Sequence, residues 1–364
     1  MRIPSYDDLS PEQDEAINLE LDGNYLVSGP PGTGKTVIAL YRAKLLSDLK
    51  KPVRLLMFSN LLSQYTKAFI RQYKLESVVS TYHAWVSEFY QENYRRRPPE
   101  VERWRHDWPQ IMDNVATNPP PADSLAYLIV DEGQDLPRDF YPVAGHIARN
   151  LTVFADENQC LFEHNCSLHD IAVGVGKSGP DAVLARNYRN TREIAALAAT
   201  FHTGMSTGIA KLPTRRGELP IVKGFTSLAK TIDFISAYER NNSDLDIGVL
   251  VPWNRMRERF VHRFQGKTKN PVQTYDSKAE GADRLLDFDK RGIKVITYHS
   301  SKGLEFDTVF LPEFQCHDRD LTNPELRMQL YVMLSRARDS LYITYSGEAP
   351  RSLSLFDAKL VERQ

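Results

Sequence analysis

One octapeptide constrains this chain more than any other stretch. Residues Gly29-Pro30-Pro31-Gly32-Thr33-Gly34-Lys35-Thr36 follow the apolar run Tyr25-Leu26-Val27 and lead into a stretch read as a helix over 34–47. A glycine-rich turn lets backbone N–H groups come close to phosphates, and the helix N-terminus behind it favours their charge. The order strand, loop, helix requires a parallel sheet that presents the loop at the carboxyl end of a strand. A second string, Asp131-Glu132, closes the apolar run Tyr127-Leu128-Ile129-Val130. In such a site Lys35 reaches the β- and γ-phosphates of ATP, Thr36 and Asp131 hold Mg²⁺, and Glu132 is left to activate a water. The loop is expected at the surface, so that losing the Lys35 side chain opens no cavity.

The chain has 364 residues, room for two domains of ordinary size, and its 41% apolar content is enough for packed cores. A net charge of −1 excludes a generally basic protein, so nucleic-acid contact has to come from local patches. Three cysteines, Cys160, Cys166 and Cys316, have no metal-ligand spacing and read as reduced thiols of a cytoplasmic protein. The apolar runs have strand length, so neither a signal peptide nor a membrane span is expected.

Short apolar runs alternate with amphipathic stretches, which predicts α/β architecture with mainly parallel sheets. In the first half, strands are expected at 25–28, 53–58, 78–80, 126–130 and 151–155, and helices at 34–47, 60–72, 83–94 and 138–149. In the second half, strands are expected at 219–223, 247–251, 272–275, 293–297, 308–311 and 341–345, and helices near 190–201, 227–239, 254–265 and 323–337. The Gly/Ser/Pro-rich stretch Gly174 to Pro180 suggests a boundary just beyond it, giving domains 1–182 and 183–364. Prolines 98, 99 and 119 to 121 bracket a segment, about 95–121, read as a small surface insertion.

Further strings occur in a fixed order. They are Leu9-Ser10-Pro11-Glu12-Gln13, Phe58-Ser59-Asn60, Ser80-Thr81-Tyr82-His83-Ala84-Trp85, Ala155-Asp156-Glu157-Asn158-Gln159, Arg186-Asn187-Tyr188-Arg189, Ile296-Thr297-Tyr298-His299 through Lys302-Gly303-Leu304-Glu305, and Leu334-Ser335-Arg336-Ala337-Arg338. With the phosphate loop, this set resembles the motif series of superfamily 1 helicases of the UvrD/Rep type, from about residue 9 to residue 346. The resemblance implies two RecA-like parallel-sheet domains in tandem, a P-loop NTPase. It further implies that Gln159 senses the γ-phosphate and that Arg189 and Arg336 serve as arginine fingers, with Arg338 and Arg327 as alternatives to Arg336. Tyr188 would stack on the adenine, Gln13 would read its edge, and Glu305 would contact the ribose, unless Glu305 only pairs with Lys302.

A motor that tracks single strands holds the backbone and stacks bases on aromatic rings, which tolerates any sequence. The candidate contacts are Phe58, Asn60, Thr81, His83, Trp85, Phe162, Trp253 and His299. Full-size relatives carry two large accessory insertions. Here only the proline-bracketed segment stands in for the first, and residues 276 to 292 leave no room for the second. The expected function is therefore an ATP-driven translocase or helicase on single-stranded or tailed duplex DNA, with 3′-to-5′ direction implied by resemblance. One alternative is an ATPase switch subunit controlling a protein partner such as a nuclease. Another is an RNA-directed motor.

Overall fold

A computed structural model describes residues 3–57, 60–103, 105–159, 166–276, 285–318 and 322–364. The chain divides into two compact units, Arg2–Ala185 and Arg186–Gln364. Among the described residues no helix is long and apolar enough to cross a membrane.

The first unit is built on six parallel strands: β1 (Tyr25–Ser28), β2 (Val53–Met57), β3 (Val79–Thr81), β6 (Ala126–Val130), β7 (Ala148–Ala155) and β8 (Ala182–Val183), in the order β3-β2-β6-β7-β1-β8. Strands buried on both faces read as near-continuous apolar runs rather than alternating ones; β6 does so throughout, β1 over Tyr25-Leu26-Val27, and β2 with Arg54 as its one polar break. Between β3 and β6 lie a short antiparallel hairpin, β4 (Glu100–Glu102) with β5 (Arg105–His106), and the helix Trp108–Thr117. This is a correction to the surface-insertion reading. Trp108, Ile111 and Val115 form one stripe of that helix and are buried in the same core as Trp85, Phe89 and Phe140. The prolines mark the edges of a packed element, because Pro109 occupies the first turn of the helix, where a missing N–H costs nothing.

The second unit holds β9 (Ile221–Phe225), β10 (Asp246–Val251), β11 (Gln273–Thr274), β12 (Gly292–Thr297), β13 (Phe306–Leu311), β14 (Ala337–Ser346) and β15 (Glu362–Arg363), all parallel, in the order β11-β12-β10-β13-β14-β9-β15. Set aside the flanking strands, and the two sheets share one order: third, second, fourth, fifth, first along the chain. Two parallel-sheet α/β units in tandem are thus the architecture of this protein.

Candidate nucleotide site

The phosphate loop leaves β1 and enters the helix Lys35–Asp48 through Gly34, whose φ of 92° is left-handed. Gly32 is left-handed as well, at φ 84°. Glycine is required at 34 for a second reason: a Cβ there would sit 2.5 Å from the Gln13 amide nitrogen. Gln13 is held by Ser10, whose backbone N–H donates to its Oε1 at 3.0 Å, while its Nε2 donates to the Thr33 carbonyl at 3.0 Å. Gln13 therefore lies against the loop.

Lys35 is only 6% exposed, which corrects the expectation of a surface position. Its ammonium donates to the carbonyls of Gly29 (2.6 Å) and Pro30 (3.2 Å) and lies 3.5 Å from Asp156. A buried ammonium is stable only where carbonyls and a carboxylate replace its water. Asp156 in turn accepts from Gln159 Nε2 at 2.8 Å and from the Asn158 N–H at 3.0 Å. Burial pushes the Asp156 carboxyl upward, with Lys35 and Gln159 opposing. Lys35, Asp156 and Gln159, distant in sequence, are thus drawn into one cluster at the carboxyl ends of β1 and β7.

Asp131 and Glu132 end β6 beside this cluster. Glu132 has φ 54° and ψ 46°, a conformation that costs a non-glycine residue on the order of 1–2 kcal/mol. Its carboxylate accepts from Gln134 Nε2 at 2.7 Å, and Gln134 Oε1 accepts from the Asp156 N–H at 2.9 Å. Gln134, fully buried, therefore ties the Glu132 carboxylate to the strand end carrying Asp156. Sequence reasoning missed it; its place two residues after Glu132 was the one available signal. Among the described residues, neither carboxylate oxygen of Asp131 has a hydrogen-bond partner of good geometry, although both are buried. Burial, and then the Glu132 charge, push the Asp131 carboxyl up to about 7, with Thr36 and Lys35 pulling the other way. A buried carboxylate short of well-placed donors, close to a threonine hydroxyl, is a donor set suited to a hard divalent cation. Mg²⁺ fits these residues.

In the second unit, Arg189 donates from Nε to Glu305 at 2.8 Å, and its buried Nη1 has no partner among the described residues. The loop before it is fixed by Asn187, whose Oδ1 accepts from the N–H groups of Arg189 and Asn190. Asn190 Nδ2 donates to the carbonyls of Ser335 and Ala337, on either side of Arg336. This residue, too, was missed from sequence. Arg336 is 1% exposed and donates to the carbonyls of Val332 (3.1 Å) and Leu304 (3.2 Å). Arg189, Glu305 and Arg336 thus come together, and the partner of Glu305 is Arg189. Tyr188, by contrast, is 45% exposed.

The candidate nucleic-acid contacts separate into groups. Trp85 is 5% exposed, packed between Phe89 and Phe140, and so forms core rather than a stacking surface. Thr81 caps the helix Tyr82–Tyr94 by accepting from the Ala84 N–H at 3.4 Å. His83 is partly buried and His299 exposed, while Trp253, just beyond β10, is 48% exposed. Phe58, Phe162 and the side chain of Asn60 lie outside the described residues.

Comparison with known proteins adds the family. Residues 274–348 match the model of the UvrD-like helicase C-terminal domain, and residues 13–164 match an AAA domain model. A protein of Chlamydia pneumoniae named "RecBCD enzyme subunit RecB" is 30% identical over 155 residues, covering 42% of this chain and 13% of that protein. An Acanthamoeba polyphaga mimivirus protein, named "Putative ATP-dependent DNA helicase", is 26% identical over 244 residues, covering 60% of this chain and 34% of that one. The chain thus spans 13% and 34% of the length of these curated relatives. A solved C-terminal domain of a possible DNA helicase from Lactobacillus plantarum is 19% identical, with a TM-score of 0.37, over 48% of this chain and 98% of that one; at that score the likeness carries no argument. The first match spans the string that ends at Glu305 and the one around Arg336, and the second spans the phosphate loop, Asp131, Glu132 and Gln159, so the strings that resemble the UvrD-like superfamily 1 helicases fall within a UvrD-like helicase C-terminal domain match and an AAA domain match.

Proposed function

We propose that this protein is an ATP-driven motor on single-stranded or tailed duplex DNA, moving 3′ to 5′. The observation that carries the reading is the buried cluster in which Lys35, Asp156 and Gln159 are joined, through Gln134, to Glu132. Phosphoryl transfer needs positioning and charge stabilisation more than covalent chemistry, and this cluster is built for both. In this assignment the loop Gly29, Pro30, Pro31, Gly32, Thr33 and Gly34 cradles the phosphates by its backbone. Lys35 exchanges its carbonyls for phosphate oxygens, Glu132 takes a proton from the attacking water, and Gln159 reports on the γ-phosphate. Thr36 and Asp131 would hold Mg²⁺, which supplies charge neutralisation at the phosphates. Arg189 and Arg336 are assigned as charge-stabilising fingers, worth about 10³–10⁵ in rate. Tyr188 is assigned to the adenine, and Thr81, His83, Trp253 and His299 to the strand.

A second reading, an ATPase switch subunit acting on a partner such as a nuclease, is favoured by two observations. Residues 276 to 292 leave no room for the second accessory insertion, and one curated relative is by name a subunit of a larger enzyme. ATP hydrolysis measured alone, with single-stranded DNA and with RNA, followed by strand displacement on a tailed duplex, separates the readings. Stimulation by DNA with displacement supports the motor, and stimulation without displacement supports the switch. Stimulation by RNA alone overturns both.

A further inference from the structure

We propose that His106, in the hairpin between β3 and β6, is a positioning residue that sets the His83 ring for contact with a single strand. The inference rests on the DNA-motor reading and assigns the short segment a role that the reading lacks.

His106 ends β5, pairs with Glu100 across the hairpin and is fixed through its neighbour Asp107. The Asp107 N–H donates to the Pro99 carbonyl at 2.9 Å, closing the hairpin, and the Asp107 side chain caps the next helix by accepting from the Gln110 N–H at 3.1 Å. The imidazole is 4% exposed and lies edge-on to Tyr82 (5.9 Å) and Trp108 (5.5 Å). Its Nε2 is 3.2 Å from Nδ1 of His83. Among the described residues its Nδ1 has no hydrogen-bond partner, the Glu100 carboxylate being 3.9 Å away. Burial lowers the pKa of both rings, that of His83 to about 4, so both are neutral at physiological pH. Of two neutral imidazoles, one must donate and the other accept, so the contact fixes a tautomer as well as an orientation. His83 is the second residue of the helix Tyr82–Tyr94, which Thr81 at the end of β3 caps, and its ring also lies 3.9 Å from that of Tyr82. A residue 23 positions along the chain therefore determines how the start of this helix presents its histidine ring.

The test measures ATP turnover, KM for ATP and the half-saturating concentration of oligo(dT), with binding followed independently by fluorescence anisotropy. His106→Phe keeps the packing against Tyr82 and Trp108 but removes the ring nitrogens. It is expected to raise the half-saturating oligo(dT) concentration about 5- to 10-fold, as loss of one hydrogen bond allows, while DNA-free turnover and KM for ATP stay unchanged. His106→Gln, whose amide reaches the Nε2 position, should return to within about twofold of wild type, while His106→Asn, which falls short, should not. In a His83→Ala background, His106→Phe should add less than about twofold, because the two residues act through one contact. Unchanged half-saturation in His106→Phe, equal behaviour of Gln and Asn, or full additivity with His83→Ala would each overturn the proposal. A wild-type protein that neither binds oligo(dT) nor responds to it would instead remove the motor reading, and this inference with it.

Discussion

The two units repeat each other at the ends of equivalent strands, yet only one has a phosphate loop. β1 is followed by the loop Gly29–Gly34, whereas β9 passes to the helix Leu228–Asn241 through Thr226 and Ser227 alone. β6 and β13 both end at a left-handed glutamate, Glu132 at φ 54° and Glu313 at φ 55°. In both, a glutamine two residues on donates to that glutamate: Gln134 at 2.7 Å and Gln315 at 2.9 Å. Each glutamine then accepts from the backbone at the end of the neighbouring strand, Asp156 in the first unit and Ser346 in the second. β3 and β12 likewise both run into Thr-Tyr-His, at Thr81–His83 and Thr297–His299, and each places its tyrosine in the core. The glutamate–glutamine latch is therefore a device of the fold. What turns it into chemistry is the neighbour. Glu132 stands beside Asp131 and the Lys35 cluster, whereas the Glu313 carboxylate is answered by the Ser346 hydroxyl at 2.5 Å.

The largest expected effect tests that division directly. Glu132→Gln should lower kcat for ATP by about 10²–10⁴, whereas Glu313→Gln should leave kcat unchanged and cost about 1 kcal/mol of stability in urea titrations. Equal losses of turnover would erase the distinction between the units. Lys35→Ala should reduce turnover to background. Because the lysine is buried beside Asp156, it should also destabilise the protein by about 3 kcal/mol, measurable in the same titrations. A smaller contrast is expected one step back in the latch. Gln134→Ala should cost about 10- to 100-fold in kcat through misplacement of Glu132, and Gln315→Ala should cost only stability.

Two weaker effects concern pH. The folded-state pKa of Asp131, at about 7, lies above the usual carboxylate range, so its ionised form is disfavoured in the native state. Without Mg²⁺, wild-type stability should therefore decline as pH rises from about 4 to about 7. Asp131→Asn should remove that decline and raise the melting temperature at neutral pH, each kcal/mol gained being about 2–4 °C for a unit of this size. Added Mg²⁺ should narrow the gap between the two proteins. His317, whose ring nitrogen meets the Tyr298 hydroxyl at 3.0 Å, is pushed down to about 4 by burial. Such a histidine favours the fold above about pH 6.5, and that contribution is lost as pH falls toward 4, so His317→Gln should flatten the melting profile over that window.

Much of this fold was legible because parallel strands buried on both faces leave continuous apolar runs; Tyr25–Ser28 and Ala126–Val130 are examples. Strand ends were less so. β7 begins at Ala148 and β14 at Ala337, where polar Arg149, Asn150 and Arg338 continue a ladder set by the neighbouring strand. The segment 95–121 was misread because its prolines outweighed the spacing of Trp108, Ile111 and Val115. Trp85 was misread in the same way: with Phe89 one turn on, it formed half of a core stripe. The burial of Lys35 and the bridging by Gln134 depend on Asp156, which only the folded sheet brings near, so no local pattern could announce them.

The left-handed backbone at Glu132 has a consequence for laboratory evolution. Glycine is the residue that this conformation suits best, and under the role proposed for Glu132 it would leave the attacking water without a proton acceptor. A screen that rewards heat resistance alone would therefore drift toward sturdier, inert variants. Selection has to demand turnover in every round to keep the machine running.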